Sequence, residues 1–303
     1  MRILVTGAAG FIGTNLCSEL VELGHEVHTL DVDNSADIVG DINEISWDRL
    51  GLGSIEGVVH LAAKTSVPES MIHPESYQET NVEATRRLFE WCSESGVKKV
   101  VFASTAAAYG DSDDIVKKVG SEGMPTSPYA ETKITGEEIA KEISSEKTKF
   151  VCLRFFNVYG IGQDDESGYS AVIPAFIKNS ISGREIQIHG NGEQTRDFVH
   201  VSDVSKAIIG ALTAETGEFT ILNVGTGKGI EIGNLARIIQ GFAVGHKLKS
   251  PKIILGPIRD GDVVHSVADL SGLGEIIETS SMKTLEHGLK EQFDYVLREN
   301  KEK

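Results

Sequence analysis

Thr6-Gly7-Ala8-Ala9-Gly10-Phe11-Ile12-Gly13 is the stretch that decides how this 303-residue chain is read. It follows a strand-like run, Arg2–Thr6, and opens a helical pattern over Phe11–Leu23 that places Ile12, Leu16, Leu20 and Leu23 on one face. Glycines at such a turn permit tight bending and close backbone approach, and the helix N-terminus favours a pyrophosphate. The spacing is Gly-x-x-Gly-x-x-Gly rather than the commoner Gly-x-Gly-x-x-Gly, with Gly7, Gly10 and Gly13 as the candidate cradle. The next strand candidate, Glu26–Asp31, ends on a carboxylate suited to hydrogen bonds from an adenosine ribose and hostile to a 2′-phosphate. Asp33 adds negative charge with no Arg or Lys nearby, so NAD is favoured over NADP.

Working outward, Gly57–Leu61, Lys99–Ala103 and Phe150–Phe155 are further strand candidates, separated by helical stretches at Pro74–Ser95 and Pro128–Lys147. Strands alternating with helices predict an α/β fold with a doubly wound parallel sheet, covered on both faces. The rhythm loosens after Asn157. Asp164–Tyr169 reads as a loop, Tyr169–Ser182 as a helix, Arg184–His189 as a short strand, Val201–Ala214 as a helix, Phe219–Val224 as a strand and Ile230–Val244 as a helix. A second, smaller α/β region therefore starts near Asn157 without a flexible linker.

The composition narrows the function. Forty-five Asp and Glu against 29 Lys and Arg leave a formal charge of −16, which argues against broad binding to nucleic acid. An anionic ligand would be received by a few local cations and helix N-termini. No run reaches the ~18 apolar residues of a membrane span. The opening residues lack a signal-peptide layout, since Arg2 is the one early cation and the apolar run stops at Thr6-Gly7; a soluble, cytoplasmic protein is expected. Cys17, Cys92 and Cys152 lie in apolar stretches and read as buried, reduced thiols. No metal is expected. Asp31-x-Asp33-x-Ser35 starts like a calcium loop but has Ala36 and Ile42 where Gly and Glu belong, Gly227-Lys228 lacks the rest of a P-loop, and no Cys/His ligand set clusters.

Tyr129-Ala130-Glu131-Thr132-Lys133 opens a predicted helix and puts a phenol and an ammonium on one face, where the cation can stabilise a phenolate. A tyrosine so tuned can take a proton from a sugar hydroxyl. The pair follows the glycine-rich turn and the strand-end segment Ser104-Thr105-Ala106-Ala107-Ala108-Tyr109-Gly110. With these three features the chain resembles the extended short-chain dehydrogenase/reductase family, and within it the NAD-dependent nucleotide-sugar epimerases typified by UDP-glucose 4-epimerase. The likeness continues through Asp41-Ile42, His60-Leu61-Ala62-Ala63, Asn81-Val82, Leu153–Gly160, Gly190–Phe198, Arg259-Asp260-Gly261-Asp262 and Ala268-Asp269.

The resemblance implies a Rossmann-type NAD-binding domain over 1–156, joined by part of about 199–226, and a nucleotide-sugar-binding domain from 157–198 and 227–303. Phe11 and Ile12 would donate amides to the pyrophosphate, Asp41 and Ile42 would sit at the adenine, and Leu61, Ala62, Ala63, Asn81 and Phe156 would line the cofactor path. Tyr129, Lys133 and Thr105 would be catalytic, with Lys133 also on the nicotinamide ribose and Ser104 helping Thr105 at the sugar O4. Asn157, Arg196 and Arg259 would hold the nucleotide diphosphate. His189 stands where many members pack an aromatic on uracil, and Ser266, four residues after Asp262, would leave room at the sugar C2 substituent. Ala106 and Ala107 replace the acids of 4,6-dehydratases and decarboxylases. The implied activity is NAD-dependent 4-epimerisation of a UDP-hexose, UDP-glucose to UDP-galactose. The alternatives are UDP-glucuronate or UDP-N-acetylhexosamine as substrate, an NAD(P)-dependent nucleotide-sugar reductase, or a silent NAD-binding module. A homodimer through Pro74–Ser95 and Pro128–Lys147 is implied too, although the second helix carries Glu137, Glu138 and Glu142.

Overall fold

The computed structural model describes residues 1–163, 172–257 and 263–302. The first half forms β1 (Arg2–Thr6), α1 (Phe11–Glu22), β2 (Glu26–Asp31), β3 (Ile38–Val39), β4 (Gly57–His60), α2 (Val67–Ile72), α3 (Pro74–Tyr77), α4 (Ala84–Glu94), β5 (Lys99–Thr105), β6 (Val116–Lys117), α5 (Pro128–Ile143) and β7 (Lys149–Phe155). The chain continues through β8 (Asn157–Tyr159), α6 (Val172–Ile181), β9 (Ile186–His189), β10 (Thr195–His200), α7 (Val201–Thr213) and β11 (Phe219–Val224). It ends with β12 (Gly229–Glu231), α8 (Ile232–Gly245), β13 (Ile253–Gly256), β14 (His265–Ala268) and α9 (Leu285–Glu302).

Seven strands pair in parallel in the order β11-β7-β5-β4-β1-β2-β3. Successive side chains on β1 go to opposite faces, and both faces are covered. Ile3 and Val5 pack with Leu16, Leu20, Val204 and Ile208, whereas Leu4 packs with Leu88, Phe89 and Ile139. That explains why these strands read as unbroken apolar runs. Strand order reverses between β1 and β4, and ligands of such sheets lie beyond the carboxyl ends of the strands at that reversal.

A smaller sheet, β12-β10-β14-β6 with β8 also on β10, and the ribbon β13-β9 make up the second region. Its core joins Phe176 and Ile177 of α6, Leu235 and Ile239 of α8, and Leu289 and Phe293 of α9. Its centre, β10, escapes the sequence pattern because Arg196 and Asp197 interrupt it. Asp197 is nonetheless fully buried and accepts hydrogen bonds from Thr226 N (2.8 Å), Thr226 Oγ1 (2.6 Å), Gly227 N (2.8 Å) and Ala268 N (3.1 Å). The carboxylate staples three segments, so its polarity belongs to the core.

Other boundaries shift. The single helix expected over Pro74–Ser95 is α3, a π-helical stretch at Gln78–Glu83, and α4. Helix α5 stops at Ile143, four residues short of the expected Lys147, where the Ser144 hydroxyl turns back to Lys141 O (2.8 Å). Gly229–Glu231 is strand, not the entry to α8, because Ile230 pairs with Arg196. The loop expected at Asp164–Tyr169 and the first residues of the helix expected at Tyr169–Ser182 lie outside the described residues. Among the described residues, no helix is long and apolar enough to cross a membrane. Cys92 and Cys152 are buried, Cys17 is half-buried, and burial pushes all three thiols up, Cys17 to about 11.

Candidate active site

Two glycines shape the turn after β1. Gly7 has φ +70°, and a Cβ on it would come within 2.6 Å of Ala62 N; a Cβ on Gly13 would run into Gly7 O. Gly10 caps α1 without a side-chain bond, so no side chain covers the first-turn amides that include Phe11 and Ile12. At the end of β2, Asp31 Oδ2 accepts from Ala9 N (2.9 Å) and Oδ1 from Asp33 N (3.2 Å). The strand-end acid is thus fastened to the glycine turn.

A cleft of about 770 Å³ runs from this turn to the start of α5. Asp31, Asp33, Asp41 and Ile42 line it, as do Gly7, Gly10, Phe11, Ile12 and Gly13 of the turn. Leu61, Ala62, Ala63 and Phe156 are also in its wall, with Ser104, Thr105, Tyr129 and Lys133. The residues fit a dinucleotide: a carboxylate for the ribose, a cradle that side chains would fill, and a reactive group of hydroxyls.

Ser127 caps α5 by accepting from Ala130 N (3.2 Å), and Pro128 presets the first turn, which fixes where Tyr129 points. Thr105 Oγ1 accepts from Ala107 N (3.1 Å), leaving its proton to donate. Burial pushes the Tyr129 phenol above its usual range, and its hydrogen bond with Thr105 pulls the other way. The Lys133 ammonium is engaged at the strand. Buried, it donates to Ala103 O (2.9 Å) and lies 4.9 Å from the Phe102 ring centre. A buried ammonium must find an acceptor, and the end of β5 supplies one. Burial brings Lys133 down to about 8, with the Glu137 charge opposing.

Several expected positions stand elsewhere. Asn81 does not line the cleft; it is buried in the π stretch, where Oδ1 accepts from Lys64 N (2.9 Å) and Nδ2 donates to Lys64 O (2.9 Å) and Thr132 Oγ1 (3.2 Å). It holds the cleft wall from behind. The Ser104 hydroxyl, read as a helper at O4, donates to Glu137 Oε1 (2.5 Å), and Glu137 is buried rather than a surface acid. Asn157 Nδ2 donates to Asp197 O (3.1 Å), although its neighbours Phe156 and Val158 line the cleft. Arg196 donates to Thr195 O (2.9 Å) and pairs in register with Ser266 on β14. His189 lies at the end of β9 in the separate ribbon. Arg259 lies outside the described residues. Lys64, Thr65 and Thr80 line the cleft unannounced by any motif. Among the described residues no His, Cys, Asp and Glu cluster could hold a metal.

The model of the NAD dependent epimerase/dehydratase family matches residues 3–225, most of the chain. The chain belongs to that family. A UDP-glucose 4-epimerase of Halalkalibacterium halodurans is 33% identical over 295 residues, 88% of this chain and 87% of that protein. A UDP-N-acetylglucosamine 4-epimerase from Methanobrevibacter ruminantium M1, solved with UDP-N-acetylmuramic acid, superposes at a TM-score of 0.89 with 32% identity over 98% of each chain. MoeE5, solved with UDP-glucuronic acid and NAD, gives 0.89 and 33% identity over 99% of this chain and 100% of its own. Ala106 and Ala107 form the short helical turn that directly follows Thr105 at the end of β5.

Proposed function

We propose that the protein is an NAD-dependent isomerase that inverts C4 of a UDP-hexose, with UDP-glucose and UDP-galactose as the first substrates to test. The observation that carries this reading is the Thr105–Tyr129 pair at the end of the cleft that begins in the glycine turn. NAD, when bound, supplies reversible hydride acceptance. The chain's own residues handle the proton and the pose. A sugar O4 entering between the two side chains would accept from Thr105 and give its proton to Tyr129 in its ionised form, which returns the proton to the same oxygen once C4 has inverted. Lys133 holds β5 against α5, and the Asn157–Arg196–Ser266 group on the second sheet serves the nucleotide diphosphate and sugar. Residues 1–156 with part of 199–226 would be the cofactor-binding half, and 157–198 with 227–303 the substrate half. A homodimer would join the outward faces of α4 and α5, where Arg87, Glu90, Glu138 and Lys141 are exposed. Incubation with UDP-glucose and no added reductant, followed by separation of the product sugars, tests the reading. An epimer without net NADH supports it; a reduced sugar matched by cofactor consumption replaces it with a reductase.

Asp31→Ala is expected to relax the choice of NAD over NADP and to weaken both, because the same carboxylate holds Ala9 N in the glycine turn. Titration of each cofactor against intrinsic fluorescence checks this, and an unchanged preference places ribose recognition elsewhere. For the sugar, Ser266 in register with Arg196 leaves room for a C2 N-acetyl group, and the 4-epimerase relative that takes UDP-N-acetylglucosamine by its name supports this. Ser266→Tyr should suppress UDP-N-acetylglucosamine by about tenfold or more while sparing UDP-glucose. Equal loss on both substrates removes Ser266 as the gate.

A further inference from the structure

We infer that Glu137 is a positioning residue of this site, a buried carboxylate that locks the end of β5, and Thr105 with it, to the helix carrying Tyr129 and Lys133. Tyr129, Lys133 and Glu137 follow at intervals of four along α5 and form one inward stripe. Three consecutive residues of β5 meet that stripe. Lys133 Nζ donates to Ala103 O (2.9 Å), Ser104 Oγ donates to Glu137 Oε1 (2.5 Å), and Thr105 lines the cleft with Tyr129. Releasing the Glu137 rung frees the strand residue directly before Thr105. Gly136 permits the close approach, since a Cβ there would meet Phe102 Cζ at 2.6 Å.

The lock is anchored from behind. Glu137 is 4% exposed and receives Arg154 Nε (2.8 Å) and Nη2 (2.6 Å), while Arg154 Nη1 reaches Glu122. Arg154 in turn lies 4.9 Å from the Tyr109 ring centre, and Tyr109 donates to Asn223 Oδ1 (2.6 Å) on β11. The two carboxylates thus face Arg154 and, through Glu137, Lys133. Besides Glu137, the titratable groups that interact with Lys133 are His60 from β4, pushed down to about 3 by burial, and Cys152 from β7, while Arg154 meets it only through Glu137. Taking away the Glu137 charge removes the larger of the two influences, ahead of Cys152, that favour the ammonium against burial. Lys133 should therefore lose its proton at lower pH.

The proposal rests on the epimerase reading for its activity arm and stands apart from it in the other. Glu137→Gln in the full chain keeps an acceptor for Ser104 and deletes the charge. Its kcat for UDP-glucose should fall about 10–100-fold with KM within a few-fold, as for a misplaced reacting pair. The Lys133 titration midpoint, followed by NMR on 13C-lysine-labelled protein, should move below that of the wild type. An unmoved midpoint in a folded variant overturns the proposal, as does a kcat within twofold of wild type. If wild type leaves UDP-sugars untouched, the functional reading fails and the midpoint alone decides this one. Should Glu137→Gln not fold, Ser104→Ala tests the same contact without altering buried charge: a several-fold lower kcat at unchanged KM supports the lock, and an unchanged kcat overturns it.

Discussion

Tyr129→Phe is expected to lower UDP-hexose turnover by about 10³-fold, within the range for loss of a general acid–base. The substitution deletes one hydroxyl, and the capped first turn of α5 with Ser127 and Pro128 keeps the ring where it is. Cofactor retention should therefore survive, since the glycine turn and Asp31 are untouched. Thermal melting should stay close to wild type, because the lost partner, the Thr105 hydroxyl, keeps its bond from Ala107 N. Single-turnover assays on the NAD-loaded variant are the check. Activity within a few-fold of wild type would remove Tyr129 as the base and leave the cleft as a binding site.

A fall in folding stability between pH 6.5 and pH 5 is the second large effect. His60 is fully buried between Thr6 Oγ1 (2.7 Å from Nδ1) and Thr85 Oγ1 (2.9 Å from Nε2), and burial, aided by the Lys133 charge, brings it down to about 3. His200, with Nδ1 at 2.8 Å from Ser202 Oγ, is brought down to about 4, again by burial first. Both folded values lie below the ordinary 6.5, so as pH drops the unfolded chain takes up protons that the native chain refuses. Stability is whole above 6.5 and is lost progressively as pH falls through that value toward the folded ones. At pH 5 each histidine forfeits about 2 kcal/mol, roughly 4 kcal/mol together, a large share of an ordinary ~5–15 kcal/mol. Most carboxylates stay ionised in this window, which isolates the histidines. Urea unfolding at the two pH values measures the loss, and His60→Gln should about halve it. An equal pH dependence in that variant would count against His60 as a source.

The reading of the first half from sequence succeeds where local and tertiary demands coincide. Strand runs such as Ile3–Val5 and Val100–Phe102 are apolar throughout because helices cover both faces, and Gly7 and Gly13 are glycines because backbone occupies the space of a side chain. Thr6–Gly13, Asp31 and the Tyr129/Lys133 pair could be found from spacing alone, since each sits within one turn or one strand end. The central strand β10 could not, because what buries Asp197 is a set of amides drawn from two distant segments. The sequence alone therefore determined the doubly wound sheet, the dinucleotide turn and the family likeness. Tertiary structure decided where the polar groups point. It turned Asn81 behind the cleft wall, sent Lys133 to the Ala103 carbonyl, and drew Ser104 and Glu137 into one buried contact. Periodicity specifies which face of a helix is inward, but a buried polar atom goes to whichever donor or acceptor the fold brings within about 3 Å, and that partner can lie anywhere in the chain.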